Sequence, residues 1–313
     1  MPSPRVSILL PTHNRRELVR WAIESALAQT LEDFELLVSG DGCTDDTGNL
    51  VRGYGDPRVV WFDWPKAPGF GYASRNRTLR QAQGTFIAYL ADDDLWLPDH
   101  LERLTACLDE SSAEWAYSRP LDVSAAGQIT PKIFNLHHAR TRRMWLTQHV
   151  AYLPSPNVVH RRSCLERYGY WDEDVVRSGD WELWMRILSG GQWLNFCYES
   201  TPTSLHFTAD WRRTHVNWRM QLWRLARAWD GDQAPALNVS VPEGLPEQEL
   251  ISRAMQRDPQ WVQQLRRAVD IELDQRAAFA LPLSQTIEAA YWTFKRLTTG
   301  HKQFARVARS PRP

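Results

Sequence analysis

Three consecutive carboxylates, Asp92, Asp93 and Asp94, follow the short apolar run 86–90. Like charges at neighbouring positions repel one another, so the cluster needs a cation or solvent to neutralise it. A hard divalent ion such as Mg²⁺ or Mn²⁺ prefers oxygen ligands and is commonly completed by substrate phosphates. Taken alone, a solvated acidic turn that begins the next helix is the commoner explanation of such a cluster. The rest of the chain decides between the two.

The elements around these carboxylates predict where they lie. The run 86–90 indicates a buried strand, because it is short and apolar and follows the turn pair Gln83-Gly84. Pro98 suits the first position of the helix that we predict after it. The three carboxylates therefore lie just past the carboxyl end of a strand, which is where open α/β sheets bind their ligands.

Strand and helix patterns alternate from residue 6 to residue 109. The alternation predicts an α/β fold with a mostly parallel sheet flanked by helices. Two further strand ends, residues 11–14 and 39–42, then reach the same edge as the carboxylates and form a crevice that suits a nucleotide with a metal. Asn14 and Glu17 have the spacing of a reciprocal helix cap, so we expect Asn14 to cap the first helix.

The regular alternation ends after the first 109 residues, and the last third of the chain has a helical pattern. We predict strands near 114–118, 158–160 and 193–197, and a helix over 180–188. Beyond residue 210 we predict a long amphipathic helix, a loop over 235–246, and a helical stretch over 247–280 that is interrupted near Pro259. We therefore divide the chain into a catalytic domain, 1–210, and a helical extension with a basic tail, 211–313.

Composition excludes some classes of protein. The formal net charge is zero, which gives no support to nucleic-acid binding. No segment has the length of a membrane span, and no secretory signal precedes the first strand. The four cysteines (Cys43, Cys107, Cys164 and Cys197) form no CxxC pair. We expect them to be reduced thiols in a cytoplasmic protein.

Five short stretches together resemble the inverting family 2 glycosyltransferases, which have the GT-A fold. They are SILLPTHNR at 7–15, DGCTDD at 41–46, ASRN at 73–76, LADDDLW at 90–96 and GDWELW at 179–184. Each stretch is a weak signal by itself, but their order and spacing agree with the family over roughly residues 5–206. The resemblance implies a GT-A domain that binds a nucleotide-diphosphate sugar, and it does not cover the helical extension.

The resemblance also implies which residues hold the donor and the metal. The residues that it places against the donor are Pro11, Thr12, Asn14, Asp41, Arg75, Asp92 and Asp94. Asp41 would accept a hydrogen bond from the base, and Asp92 would lie by the ribose. Asp93 would bind Mn²⁺ or Mg²⁺, with Asp94 close to the metal or the sugar. The family commonly has aspartate where this chain has Ala91, which leaves open which two carboxylates matter most.

Two histidines and one helix complete the predicted site. His206 falls where some GT-A enzymes place a third metal ligand, although a lone histidine is as often structural; His215 is a weaker candidate. Asp180 matches the acidic residue of the family's "ED" motif, whose first position here is Gly179, and it would take the proton from the acceptor. We expect the helix dipole to keep Asp180 ionised, although a helix-capping aspartate has the same sequence pattern. Glu182 is the alternative base.

Aromatic residues near these motifs are assigned to the core. Trp96, Trp181 and Trp184 could stack on an acceptor sugar, but their helical spacing favours packing, and we leave them out of the site.

These expectations describe a metal-dependent inverting glycosyltransferase that transfers a sugar to a hydroxyl acceptor, a glycan or a lipid-linked glycan, in bacterial polysaccharide or glycoconjugate synthesis. One alternative is a GT-A-like protein that binds nucleotide sugar without turnover, because Ala91 and Gly179 stand at normally acidic positions. A dehydrogenase or nucleotidyltransferase has little support, since no G-x-G-x-x-G or P-loop motif is present.

The basic tail indicates peripheral contact with the inner face of a membrane, or else a solvated, disordered end after about Thr298.

Overall fold

The computed structural model describes residues 3–132, 134–148, 153–175, 178–190, 195–208, 237–242, 244–279 and 290. In this part of the chain the strands are β1 Val6–Thr12, β2 Phe34–Asp41, β3 Val59–Trp64, β4 Phe86–Tyr89, β5 Leu95–Trp96, β6 Trp115–Ser118, β7 Leu121–Val123, β8 Ile129–Pro131, β9 Val158–Arg161, β10 Phe196–Glu199 and β11 Ser204–Phe207. The helices are α1 Arg16–Leu27, α2 Thr47–Arg52, α3 Tyr72–Leu79, α4 His100–Asp109, α5 Ala139–Gln148, α6 Ser163–Tyr168, α7 Gly179–Gly190, α8 Glu247–Arg257 and α9 Trp261–Phe279.

The larger sheet has seven strands in the order β10-β6-β9-β4-β1-β2-β3. Strand β1 is parallel to both β2 and β4, and β2 is parallel to β3, as the alternating pattern predicts. Strand β9 runs antiparallel to β4 and to β6. Because β1, β2 and β4 are parallel, their carboxyl ends lie at one edge, where Thr12 at the end of β1 is in register with Gly40 of β2.

Helices cover both faces of this sheet because β1 and β4 are apolar on both sides. Val6, Ile8 and Leu10 of β1 pack with helices α1 and α4 in one hydrophobic cluster. Leu9 of β1 and Tyr89 of β4 pack in a second cluster with the tryptophan-rich helix α7. The second cluster fixes helix α7 against the sheet, and the amino end of α7 carries the predicted base.

A smaller sheet, in the order β5-β11-β7-β8, lies beside the first. Its hydrophobic cluster includes Leu95 and Leu205 from the strands, Ile251 from α8, and Leu265 and Val269 from α9. The described part of the predicted extension therefore packs on residues of the predicted catalytic domain. The two helices α8 and α9 confirm the predicted interruption near Pro259. The boundary at residue 210 stays a prediction.

Three sequence expectations are corrected. Leu95 and Trp96 form strand β5, paired with β11, so helix α4 begins at His100 rather than at Pro98. Asn14 does not cap helix α1; it has a φ of 52°, and its Oδ1 accepts a hydrogen bond from the backbone N–H of Thr44 at 2.7 Å. Asn14 instead ties the turn after β1 to the turn after β2.

The third correction concerns the cysteines. Cys107 of α4 and Cys197 of β10 form a disulfide with their Cα atoms 6.1 Å apart, so these two are not the reduced thiols that we expected. Cys43 and Cys164 are free.

The predicted helix after residue 210, His215 and the basic tail lie outside the described residues. Within the described part, no helix has both the length and the apolar content needed to cross a membrane.

Candidate active site at the carboxyl edge of the sheet

Asp41, the last residue of β2, is almost fully buried at the carboxyl edge and is held by three donors. Its Oδ1 accepts hydrogen bonds from the backbone N–H of Ala67 and from the Ser74 hydroxyl, each at 2.8 Å, and its Oδ2 pairs with the ammonium of Lys66. Burial alone would raise the pKa of Asp41, but these three donors outweigh it and lower the pKa. Asp41 is therefore a fixed, ionised acceptor.

Arg75, on helix α3, carries a partly buried positive charge that interacts with three of the predicted acidic residues. Its guanidinium lies over two aromatic rings, 5.3 Å from the centre of Tyr72 and 5.1 Å from that of Trp171. Burial lowers the pKa of Arg75, while the charges of Asp180, Asp92 and Asp41 act to raise it. Among the described residues Arg75 makes no ion pair, and its buried Nε has no hydrogen-bond partner. This guanidinium is therefore available to an anionic ligand.

The carboxylates of Asp92 and Asp93 face a second arginine, Arg15, which precedes helix α1. The Nη1 of Arg15 lies 2.9 Å from Oδ2 of Asp93 and 3.7 Å from Oδ1 of Asp92. Burial would lower the pKa of Arg15, but the two aspartates outweigh it and raise the pKa. Burial and the neighbouring Asp93 raise the pKa of Asp92. Arg15 thus neutralises much of the acidic cluster.

The third carboxylate, Asp94, is buried and only 1% exposed. Its Oδ1 accepts a hydrogen bond from the backbone N–H of Phe207 at 2.8 Å, and Nδ1 of His206 lies 3.0 Å from its Oδ2. Burial would lower the pKa of His206, but Asp94 raises it to about 9. Asp94 therefore orients the His206 ring, as a carboxylate behind a ligating histidine does.

Asp180 lies in the first turn of helix α7, and its Oδ1 accepts a hydrogen bond from the backbone N–H of Trp181 at 2.8 Å. Burial raises the pKa of Asp180, although this hydrogen bond and the charges of Arg75 and His206 oppose the rise. Burial therefore acts against the effect that we expected from the helix terminus, and the ionised state of Asp180 stays a prediction. A raised pKa brings a carboxylate closer to what a general base needs near neutral pH.

Glu182 and the three tryptophans near the motifs have structural roles. Glu182, the alternative base, is 5% exposed, and its two oxygens accept hydrogen bonds from Nε and Nη2 of Arg186 at 2.6 and 2.8 Å. Trp181 and Trp184 are buried in the core, as is Trp96 of β5, which confirms their assignment to packing. Asp180 is therefore the one of the two predicted bases whose carboxylate has no basic side chain paired with it in the described structure.

The residues present fit a divalent ion only if substrate supplies further ligands. Within the described structure, no three His, Cys, Asp or Glu side chains are grouped so as to hold an ion, and the predicted set of Asp93, Asp94 and His206 forms no such group. Asp92 and Asp93 remain partly exposed carboxylates, with side chains 14% and 20% exposed. One or two carboxylates with phosphate oxygens and water are the ligands that Mg²⁺ commonly uses.

A cavity of about 210 Å³ adjoins Asp93 and Arg15. The other lining residues come from α1, from the small sheet and the residues next to it, and from the start of α8: Leu18, Val123, Ala125, Phe207, Thr208, Pro246, Glu247 and Gln248. Gln248 also donates a hydrogen bond from Nε2 to the backbone oxygen of Asp93 at 3.0 Å. The start of α8 therefore supports the acidic turn.

Several contact residues of the site were not predicted from the sequence. Arg15 and Ser74 lie inside the motif stretches, so their position next to Asn14 and Arg75 was an available signal. Lys66, Tyr72 and Gln248 lie outside every motif, and nothing in their sequence context indicates a role. Thr12 is buried at the end of β1, and Pro11 precedes it at the same edge, as predicted.

Comparison with known proteins gives a family match over half of the chain. The family model described as Glycosyl transferase family 2 matches residues 7–169. An uncharacterized glycosyltransferase of Rickettsia typhi is 27% identical over 203 residues, which are 59% of this chain and 59% of the relative. The Escherichia coli UDP-Glc:alpha-D-GlcNAc-diphosphoundecaprenol beta-1,3-glucosyltransferase WfgD is 34% identical over 183 residues, 58% of this chain and 69% of WfgD. The chain thus spans about three fifths of the length of the first of these relatives, 59%.

Solved structures establish the fold. S. aureus TarS 1-349 in complex with UDP-GlcNAc matches with a TM-score of 0.53 and 18% identity, over 81% of this chain and 72% of that one. The mannosyltransferase PcManGT from Pyrobaculum calidifontis, in complex with GDP-Man and Mn²⁺, matches with a TM-score of 0.50 and 18% identity, over 97% of this chain and 84% of that one. These similarities confirm the predicted GT-A fold, a mostly parallel central sheet flanked by helices.

Proposed function

Because the chain belongs to glycosyl transferase family 2, we propose that it is an inverting glycosyltransferase. It moves a sugar from a nucleotide-diphosphate-sugar donor to a hydroxyl acceptor in one displacement. The observation that carries this proposal is Arg75, a partly buried guanidinium that makes no ion pair among the described residues and interacts electrostatically with Asp41, Asp92 and Asp180. A diphosphate bound to Arg75 would have Asp41, at the end of β2, and the proposed base Asp180 among the charges around it.

Each part of the donor then has residues to hold it. Asp41, with Pro11, Thr12 and Asn14 at the neighbouring strand end and turn, binds the nucleoside, and Asp92 lies by the ribose. Arg75 offsets the negative charge that grows on the departing diphosphate, which is the kind of electrostatic stabilisation that contributes most in such sites.

We propose Asp180 as the general base. As the acceptor oxygen bonds to the anomeric carbon, the bond from that carbon to the diphosphate oxygen breaks, and the hydroxyl proton passes to a carboxylate oxygen of Asp180. The burial that raises its pKa makes the carboxylate a better proton acceptor at neutral pH. Asp180 must be ionised for this step, so transfer is lost as the pH falls through its pKa.

A divalent ion, Mn²⁺ or Mg²⁺, fits this scheme. Asp93 would hold it, with Asp92 beside it and His206, oriented by Asp94, as a further candidate. The ion would neutralise the diphosphate as a Lewis acid. For Asp93 to bind it, Arg15 has to release the carboxylate that it holds at 2.9 Å.

The relatives' names support a class of substrate. WfgD is named for a UDP-Glc donor and a lipid-linked N-acetylglucosamine acceptor. We propose a nucleotide-sugar donor and a glycan or lipid-linked glycan acceptor for this chain also, in the synthesis of a bacterial polysaccharide. Such an enzyme works in the cytoplasm at the inner face of the membrane, where the basic tail would contact anionic lipid.

A thermal-shift panel of nucleoside diphosphates and nucleotide sugars, with and without Mn²⁺, tests donor binding first. We expect at least one nucleoside diphosphate to raise the melting temperature, and to raise it further with Mn²⁺, because bound ligand stabilises the native state by mass action. A panel in which no compound shifts the transition in either condition contradicts the proposal.

Replacing the base separates an enzyme from a binding protein without turnover. Asp180→Asn should lower the transfer rate by about 10²–10⁴-fold, the usual contribution of a general base, while the donor still binds. Glu166→Gln, which alters a carboxylate with a 63% exposed side chain on helix α6, is the control and should leave transfer unchanged. If the Asp180→Asn variant transfers sugar at the wild-type rate, Asp180 is not the general base.

A further inference from the structure

Tyr72, the first residue of helix α3, meets Gly179, the first residue of helix α7. The hydroxyl oxygen of Tyr72 accepts a hydrogen bond from the backbone N–H of Gly179 at 3.0 Å. A methyl group built on Gly179 would lie 2.5 Å from Cζ and 2.7 Å from Cε1 of the Tyr72 ring, closer than real side chains approach. Glycine at 179 is therefore required by the ring of Tyr72, which occupies the space of a side chain there.

The ring of Tyr72 is also held in place by Trp171 and Arg75. It is 6% exposed and stacks on Trp171, with ring centres 5.4 Å apart and planes 11° apart. The guanidinium of Arg75 lies over both rings. Moving Tyr72 away from Gly179 would disturb this stack, so the ring is a fixed boundary for the start of α7.

The backbone at the start of α7 needs such a support. The first N–H groups of a helix have no partner within the helix, and Tyr72 supplies an acceptor for the one at Gly179. Ser178, the residue before it, has a φ of 58°, a conformation that a non-glycine residue keeps only where its surroundings hold it. Asp180 follows directly, so its position depends on this contact.

We propose that Tyr72 is a positioning residue for Asp180: its hydroxyl and ring fix the first turn of α7 and so set where the carboxylate meets the acceptor. The inference rests on the proposed function for the role of Asp180. It also joins the two halves of the site, since Tyr72 and Arg75 lie on the same helix α3. The diphosphate-binding cation and the base are then set relative to one another by one contact.

Tyr72→Phe tests the role of the hydroxyl, because it keeps the ring and its stack but leaves the Gly179 N–H without its acceptor. We expect kcat to fall about tenfold, the effect of losing one hydrogen bond that holds the catalytic geometry. The Kd for the nucleoside diphosphate, measured by calorimetry with Mn²⁺, should stay within about twofold of the wild-type value. The variant loses one hydrogen bond at the start of α7 but keeps Arg75 and the ring stack beneath it.

Tyr117→Phe is the matched control. The Tyr117 hydroxyl also accepts a hydrogen bond from a backbone N–H, that of Leu136 at 2.8 Å, and Tyr117 belongs to the same hydrophobic cluster as Tyr72. We expect this variant to melt at a lower temperature with kcat unchanged. A wild-type kcat for Tyr72→Phe, or an equal fall in kcat for both variants, would overturn the proposal.

A double-mutant cycle tests the contact itself without any assay of transfer. Gly179→Ala should lower the melting temperature by several degrees in the wild-type chain, and should lower it little in a Tyr72→Ala background, where the ring is gone. An equal fall in both backgrounds would show that the ring does not exclude the methyl group. If Tyr72→Ala is not recovered folded, the comparison of the two phenylalanine variants decides.

The two proposals fail differently. A wild-type protein that binds no nucleoside diphosphate and transfers no sugar contradicts the proposed function, and the melting cycle then still decides whether Tyr72 fixes the start of α7. A wild-type protein that transfers sugar, with a Tyr72→Phe variant that does so equally fast, contradicts only the positioning role.

Discussion

At the scale of single residues, Arg15 balances the charge of the acidic turn. It holds Asp93 at 2.9 Å and lies 3.7 Å from Asp92, where two partly buried carboxylates would otherwise repel. The same cation competes with any metal for Asp93. We therefore expect Arg15 to stabilise the protein without ligand and to weaken its affinity for free metal.

Arg15→Gln should separate these two effects. We expect the variant to melt at a lower temperature than wild type without ligand, because Asp92 and Asp93 lose their counter-charge. Added Mn²⁺ should then raise its melting temperature more than it raises that of wild type, in a titration without nucleotide.

Arg16→Gln is the control for this titration, since the neighbouring Arg16 pairs instead with Glu17 and Asp46 on the surface. Its response to Mn²⁺ should equal that of wild type. An Arg15→Gln variant that responds to Mn²⁺ no more than wild type does would show that Arg15 does not compete for Asp93.

At the scale of elements, the disulfide joins helix α4 to strand β10 across a sequence separation of 90 residues. Strand β10 pairs with β6 alone in the larger sheet and forms its edge. A cross-link closes a long loop in the unfolded chain, which in the chain-entropy account lowers the entropy of that state. The disulfide therefore secures the edge strand to the helix beneath it.

Reduction should lower the free energy of unfolding by about 4.6 kcal/mol, the amount expected for a loop of this length. The double variant Cys107→Ser/Cys197→Ser should have the stability of the reduced protein and no response to reductant, measured by denaturant unfolding. Cys43→Ser, which alters a free cysteine, should keep the response of wild type. Titration of four thiols in the native, unreduced protein would contradict the disulfide.

At the scale of the whole molecule, a buried neutral histidine couples folding to pH. His100, at the start of α4, is fully buried and stacks on Trp96 at 4.3 Å, and its Nδ1 lies 2.8 Å from the Thr203 hydroxyl. Burial lowers the pKa of His100 to about 3. The unfolded chain binds a proton at His100 below about pH 6.5, and the folded chain does not until about pH 3. The contribution of neutral His100 to the free energy of unfolding is therefore fully present above pH 6.5, and it is lost as the pH falls toward 3.

His100→Asn should isolate this contribution. The free energy of unfolding of the wild-type protein, minus that of the variant, should fall by about 1.4 kcal/mol for each pH unit between pH 6 and pH 4. A His100→Asn difference that is constant over this range would mean that His100 is protonated in the folded protein.

The sequence by itself determined the order of the parallel strands and helices in the first part of the chain, and the edge at which the candidate site lies. Apolar runs and turn residues are local signals, so β1, β2, β4 and the turns after them were predicted, and the parallel sheet followed from their alternation with helices. The resemblance to family 2 glycosyltransferases added a prediction of which residues form the site, and the family match confirms the resemblance itself.

Only the tertiary structure decided which partner each charged or polar group has. Arg15 and Asp93 are 78 residues apart in the chain, Tyr72 and Gly179 are 107 apart, and Asp94 and His206 are 112 apart. The disulfide between Cys107 and Cys197 is set in the same way, by the packing of α4 against the sheet. No periodicity or local propensity specifies such pairs, because each exists only once the sheet has brought distant turns and helix ends together.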